Sequence, residues 1–189
     1  MTYQRPVLSW PGNKFEYLSE IISRFPKEFN DYFEPCIGSA SVFLNADLSN
    51  KNIYLSDVNP RLINLYHVIK TKPNELIMVL NNLFSKEDTE NNYYKTRNEF
   101  NNINNNNSIL DPVYEAACLI YLNKTGFNGL YRENKSGAYN VSWGKKKKIK
   151  NSYSKEIYRL SDKLNNTKSN LICNDFEYIL LNAKFGDFV

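Results

Sequence analysis

Gly38 and Asp57 stand nineteen residues apart, and the segments around them alternate in a way that can hold a nucleotide-like ligand. Asp31-Tyr-Phe-Glu-Pro35 reads as a short strand that runs into the small-residue turn Gly38-Ser39-Ala40. A helix from Ser41 to about Ala46 follows, then a second strand over Ile53–Ser56 with Asp57 at its carboxyl end. Small residues let a ligand approach backbone N–H groups, and an acid about twenty residues further on suits ribose hydroxyls. The pattern lacks G-x-G-x-x-G, so it fits a cofactor without a pyrophosphate; S-adenosylmethionine is one. An α/β domain without a cofactor has the same outline, and the missing glycines disfavour a nicotinamide enzyme.

A second feature lies between Lys124 and Arg159. This segment holds ten Lys and Arg against two acids, Glu133 and Glu156, while the whole chain carries a formal charge of only +4. The run Lys145-Lys146-Lys147-Lys148 follows closely on Phe127, Tyr131, Tyr139 and Trp143. A basic block beside aromatic residues is the electrostatic footprint of nucleic-acid binding, although a lysine run can also be a solvated surface. Other chemistries have few candidates. Cys36, Cys118 and Cys173 lack C-x-x-C spacing and sit in apolar contexts, which suggests three buried thiols rather than a zinc or disulfide framework. The single histidine, His67, lies on an apolar helix pattern and reads as structural. There is no run of about 18 apolar residues, and the start MTYQRPVLSW has no signal-peptide core. The protein is therefore expected inside the cell, in the cytoplasm or on the nucleoid.

These residues need a scaffold, and the pattern supplies one. Phe15, Leu18, Ile21 and Ile22 recur at helical spacing; Asn59-Pro60 opens a helix with an apolar face of Leu62, Ile63, Tyr66 and Ile69. Helical segments over roughly 73–84, 90–101 and 112–123 are separated by polar loops, among them the asparagine run Asn104–Asn107. Tyr139–Trp143 after Ser136-Gly137 suggests a hairpin arm, 155–164 another helix, and Leu171–Cys173 a third strand followed by Asp175. The order is that of the first half of a doubly wound α/β sheet with a largely helical, basic insertion.

Several blocks together resemble the Dam-type (D12 class) DNA adenine N6-methyltransferases. Leu8-Ser-Trp-Pro-Gly-Asn-Lys14 resembles that family's amino-terminal cofactor motif, Phe33–Asn45 its Glu-Pro-Phe-x-Gly motif, and Leu55–Tyr66 its second-strand motif. Tyr93-Tyr94, Arg97, Phe100-Asn101, Tyr121–Arg132 and Gly137–Gly144 match its DNA-recognition region, in the family order. The resemblance implies a partial Rossmann-like methyltransferase sheet with a mainly helical DNA-recognition insertion and a β-hairpin arm. In that scheme residues 1–58 and 168–189 form the S-adenosylmethionine-binding core and 59–167 the insertion. It implies cofactor contacts from Trp10, Lys14, Glu34, Pro35, Gly38, Asp57, Asp175 and Phe176, with Lys14 beside the carboxylate end, Asp57 on the ribose, and Asp175 and Phe176 near the adenine ring. For double-stranded DNA it implies Lys124, Leu130 and Arg132 as base contacts in a short palindrome such as GATC. Phe127 and Asn128 would act at the flipped base, and Lys145, Lys146 and Lys147 on phosphates.

The same resemblance exposes departures. The family's catalytic Asp-Pro-Pro-Tyr follows a strand that here reads Gly186-Asp-Phe-Val189, and the motif does not occur in the sequence. Asp111-Pro-Val-Tyr114 looks like a degenerate copy, but Asp before Pro at a helix start explains it as a cap. Asn13 and Ala40 stand where glycine is common, and Lys124 where arginine is frequent, which leaves a point charge instead of a planar fork. The expectation is a chain that binds cofactor and DNA and does not catalyse alone. A second chain completing the sheet, or self-association through an open strand edge, would follow. The alternatives are a non-catalytic DNA-binding protein and one half of a split methyltransferase.

Overall fold

In the computed structural model, which describes residues 2–86, 89–102, 111–145 and 152–189, three short strands pair in parallel in the order β1-β2-β3. They are β1 (Tyr32–Glu34), β2 (Asn52–Asp57) and β3 (Lys168–Cys173). Tyr32 and Phe33 of β1 and Ile53 and Leu55 of β2 are buried, as short apolar strands covered by helices should be. Glu34 pairs with Leu55 and Asp57 with Cys173, so the carboxyl ends of the strands share one edge of the sheet.

A further extended segment runs parallel to β1. The Phe188 N–H donates to Asp31 O at 2.9 Å, Phe33 N–H to Phe188 O at 2.8 Å, and Asn30 N–H to Gly186 O at 2.8 Å. The Asp187 carboxylate fixes this segment by accepting from the Asp31 N–H at 3.1 Å and the Lys184 N–H at 2.7 Å. β1 thus has β2 on one side and residues 186–188 on the other. A reversal of strand order of this kind is where open α/β sheets place their ligands.

Eight helices lie among the described residues: α1 (Leu18–Ser23), α2 (Ser41–Asn45), α3 (Pro60–Thr71), α4 (Pro73–Phe84), α5 (Thr89–Asn102), α6 (Pro112–Thr125), α7 (Ser154–Asn166) and α8 (Phe176–Leu180). α3 packs on β2 and β3, α7 packs on α3, α4 and β3, and α6 is surrounded by α3, α4 and α5. Enclosure of α6 follows from its composition, because Val113, Ala116–Asn123 and Thr125 are all buried and leave it no polar face. Its start is a side-chain cap: Asp111 Oδ1 accepts from Val113 N–H at 2.9 Å and Tyr114 N–H at 3.0 Å, with Pro112 in the first turn. Asp111-Pro-Val-Tyr114 is therefore a helix start, as its composition suggests.

The expected hairpin arm is present in looser form. Residues 126–143 fold back on themselves through two isolated antiparallel bridges, Glu133 with Tyr139 and Gly126 with Trp143, and not through a continuous ladder. Side chains of α5 do the work of the missing ladder. The Tyr93 hydroxyl and the Arg97 guanidinium donate to Val141 O at 2.8 and 3.0 Å, while Asn101 brackets Tyr139 through its carbonyl at 2.9 Å and its N–H at 2.8 Å.

Two sequence expectations need correcting. Cys36 and Cys173 are exposed, because both sit at the open carboxyl edge of the sheet; Cys118 alone is buried. His67 is exposed on α3 instead of facing its apolar side. No described helix is long and apolar enough to cross a membrane. Leu181 and Phe185, after α8, stand in solvent.

α3 gives a direct check on the scaffold. The Asn59 side chain accepts from Arg61 N–H at 3.0 Å and Leu62 N–H at 3.2 Å. Asn59→Ala should lower the unfolding free energy by about 1 kcal/mol in urea titrations, with no change in the slope of the transition.

Candidate cofactor site and nucleic-acid interface

The turn between β1 and α2 is held from three directions. Gly38 adopts φ +49°, its N–H donates to Asp57 Oδ2 at 3.2 Å, and its carbonyl accepts from the Tyr66 hydroxyl of α3. The other Asp57 oxygen accepts from Asn59 N–H at 3.0 Å, and Asn59 in turn caps the helix that carries Tyr66. Trp10 closes the third side: a Cβ on Gly38 would stand 3.2 Å from its Cδ1. Glycine is required here both by the positive φ and by the indole.

The other residues implied in cofactor contact surround this turn unevenly. Glu34 and Pro35 end β1, and Pro35 O accepts from Ser56 Oγ at 2.9 Å. At the end of β3, Asn174 N–H donates to Asp57 O at 3.2 Å; Asp175 then caps α8 by accepting from Glu177 N–H at 3.0 Å, with Phe176 exposed beside it. Lys14 is exposed at the start of a single 3-10 turn, its carbonyl accepting from Tyr17 N–H at 3.0 Å, and makes no side-chain cap there. Asn13, which stands where glycine is common, ties this loop down: its Oδ1 accepts from Phe15 N–H at 3.1 Å and Ser39 Oγ at 2.9 Å. Ala40 does occupy the left-handed region, at φ +60°, where glycine would carry no strain.

Acids converge on the same edge. The Glu34 carboxyl lies among protein groups although part of the residue is accessible, and burial raises its pKa from 4.5 to about 7 against the opposing hydrogen bonds of Tyr32 and Phe43. Tyr32 donates to it at 2.9 Å. The Cys36 thiol is pushed up first by burial, then by the negative charges of Asp57, Asp175 and Glu34, so those three carboxylates all lie within electrostatic reach of one sulfur. None of them belongs to an ion pair found among the described residues. A surplus of negative charge beside an open backbone turn suits a ligand that carries positive charge and hydroxyls. The sulfonium, ammonium and ribose of S-adenosylmethionine fit that donor and acceptor set.

The second group gathers beyond the end of α6. Phe127, Leu130 and Arg132 line one cavity of about 330 Å³ together with Val141 and Ser142. Phe127 is 54% exposed, which excludes a core role, and Asn128 beside it is forced to φ +52°. Arg132 is held by Asn140, with Nε to Oδ1 at 2.7 Å, so its position is set before any ligand arrives. Lys124 lies with its ammonium 5.2 Å from the Tyr153 ring centre. Lys145 is exposed at φ +52°, whereas Lys146, Lys147 and Lys148 lie outside the described residues.

Two residues that composition and motif left without a role join these groups. Tyr131 stacks on Trp10 with ring centres 4.5 Å apart, and buried Asn123 bonds to both Ser9 and Gly129. Asn123 falls inside the Tyr121–Arg132 block, and its polar side chain after the apolar run Ala116–Leu122 is the signal for a packed role.

Two measurements follow from this geometry. Gly38→Ala should cost about 1–2 kcal/mol of stability and change Trp10 fluorescence, because it adds both strain and a contact against the indole. For Glu34, the folded protein retains a proton between pH 4.5 and about 7 that the unfolded chain has released, so its contribution to stability falls as pH rises through that window. Glu115 of α6 is raised in the same sense, by burial. Glu34→Gln should therefore flatten, without abolishing, the loss of urea resistance between about pH 5 and 8 and should leave the variant the more stable form at the upper end.

Comparison with known proteins places this arrangement in a family. A profile of D12 class N6 adenine-specific DNA methyltransferases matches residues 10–189. The Type II methyltransferase M.MjaIII of Methanocaldococcus jannaschii is 35% identical over 188 residues, which cover 93% of this chain and 63% of that protein. The Type II methyltransferase M1.LlaDCHI of Lactococcus lactis subsp. cremoris is 32% identical over 185 residues, 98% of this chain and 63% of its own. A DNA adenine methylase of Vibrio cholerae is 36% identical over 149 residues, 78% of this chain and 50% of its own. The chain thus spans between half and 63% of the length of these relatives. With residues 10–189 inside the profile, nearly its whole length, the chain belongs to the D12 class N6 adenine-specific DNA methyltransferases.

Proposed function

We propose that this chain holds S-adenosylmethionine at the carboxyl ends of β1, β2 and β3 and presents a DNA duplex to it through the segment after α6, in the service of adenine N6 methylation. The observation that carries the reading is the acid-lined turn at the strand-order reversal, where Gly38, Asp57 and Trp10 meet. In this reading Asp57 takes the ribose hydroxyls, Glu34, Pro35 and Gly38 line the amino-acid end, Lys14 pairs with the cofactor carboxylate, and Phe176 covers the adenine ring beside Asp175. When bound, the cofactor supplies an electrophilic methyl group on a cationic sulfur.

On the DNA side, Arg132 reads guanine through its planar fork, and Leu130 contacts the neighbouring base pair in a GATC-like palindrome. Phe127 and Asn128 fill and bond the space left by an extruded adenine. Lys124 contacts a base beside Leu130 and Arg132, and Lys145–Lys148 supply phosphate contacts, which makes duplex affinity fall with salt. The relatives named DNA adenine methylase support the adenine substrate. Asp-Pro-Pro-Tyr does not occur in the 189 residues, so polypeptide 1–189 taken alone is proposed to bind both ligands and to transfer no methyl group. In this reading the 189 residues supply binding, and the groups that accept the amine protons come from outside them.

Calorimetry tests the reading. S-adenosylmethionine should bind the wild-type chain, and Asp57→Asn should weaken it by about tenfold or more, the range for a hydrogen bond to a charged group. Phe127→Ala should leave that affinity unchanged and weaken binding of a GATC duplex. DNA binding without detectable cofactor binding would replace the reading with that of a non-catalytic DNA-binding protein; methyl transfer by the chain alone would overturn the division of labour.

A further inference from the structure

Asn123 lies within α6, is 1% exposed, and spends its whole amide on partners outside its own helix. Its Oδ1 accepts from the Ser9 N–H at 3.0 Å; its Nδ2 donates to Ser9 O at 2.7 Å and to Gly129 O at 2.7 Å. One carboxamide therefore grips both backbone groups of the residue before Trp10 and, at the same time, the last residue of the turn Phe127–Gly129. The turn is pressed against Ser9: a Cβ on Gly129, at φ +66°, would stand 3.2 Å from Ser9 Cβ. A second contact runs in parallel, because Tyr131 stacks on Trp10 at 4.5 Å and packs on Tyr139 at 5.6 Å.

From this juxtaposition we infer that Asn123 is a positioning residue that couples the two sites, so that ordering the loop Ser9–Lys14 also orders the Phe127–Leu130 wedge, and the reverse. The inference deepens the reading above and rests on it only for the identity of the ligands. The chemistry is specific to a carboxamide. An amide side chain donates through two N–H groups and accepts on its oxygen, which matches one N–H and two carbonyls; a carboxylate would face two carbonyl oxygens, and an aliphatic side chain would make none of the three bonds. Coupling of this kind is reciprocal: whatever free energy the cofactor loop gains from DNA, the wedge gains from cofactor.

Amide hydrogen exchange reads both ends at once. In the ligand-free chain, Asn123→Ala should speed exchange about tenfold or more at residues 9–14 and at 127–130 together, while β2 stays as protected as in the wild type. Faster exchange at one of the two segments alone, or throughout β2 and α3, would overturn the inference in favour of a merely local or merely structural role. Adding S-adenosylmethionine should protect both segments in the wild type and only residues 10–14 in the variant. Protection at 127–130 that survives in the variant, or protection of 10–14 without 127–130 in the wild type, would also overturn it. If the cofactor protects neither segment, the cofactor placement fails, and the ligand-free comparison still decides the role of Asn123. Gly129→Ala strains the same contact from the side of the turn and should reproduce the paired loosening where Asn123→Ala does not fold.

Discussion

The peptide of Gly38 is the point through which the carboxyl ends of the strands and the start of α3 are tied together. Its N–H is held by Asp57, Asp57 also holds Asn59, Asn59 caps α3, and α3 returns Tyr66 to the Gly38 carbonyl. The circuit is closed, so the end of β2, the start of α3 and the β1–α2 turn cannot shift independently. Trp10 seals it from the amino-terminal side. Each member is weak alone, in the range of about 0.5–1.5 kcal/mol net for a neutral hydrogen bond and more where a carboxylate accepts. Enclosure is what makes them obligatory, because Tyr66 and Ser39 are buried and could not be satisfied by water if the turn moved.

That circuit stays electrically unbalanced by design of its residues. Glu34, Asp57 and Asp175 end neighbouring strands with no cation set against them in the ion pairs of the described residues, and the Glu34 carboxyl is held at a pKa of about 7 by burial. A bound cation would relieve this repulsion and draw Glu34 toward ionisation. The segment after α6 solves a different problem, since it holds Phe127, Leu130 and Arg132 at the surface without a regular sheet beneath them. α5 and α6 supply the support instead, through Tyr93, Arg97, Asn101 and Asn123.

Local signals made much of this legible. Asn59-Pro60 and Asp111-Pro112 announce helix starts because a capping side chain and a proline act within three residues of each other, and both caps are made. The nineteen-residue spacing from Gly38 to Asp57 survives as a direct hydrogen bond because the intervening helix and strand are short and regular. What could not be read depends on distance along the chain. Asn123 meets Ser9 across 114 residues, and nothing near either residue marks the pairing. Asn13 looked like a loss of glycine until Ser39 supplied its partner. Cys36 and Cys173 sit in apolar stretches, and only the open edge of the sheet decides that they face solvent. The pairing of residues 186–188 with β1, not with β3, is a fact of topology that apolar pattern alone leaves open.

The most direct test of the account is a titration of S-adenosylmethionine followed by the backbone and indole N–H resonances of the isotopically labelled chain. The largest shifts should fall on the Trp10 indole, Gly38 and the amides just after Asp57, with a smaller response at Gly129. Shifts centred instead on the sheet-face cavity lined by Phe33, Tyr54 and Ile172, or no shift at Gly38, would contradict it.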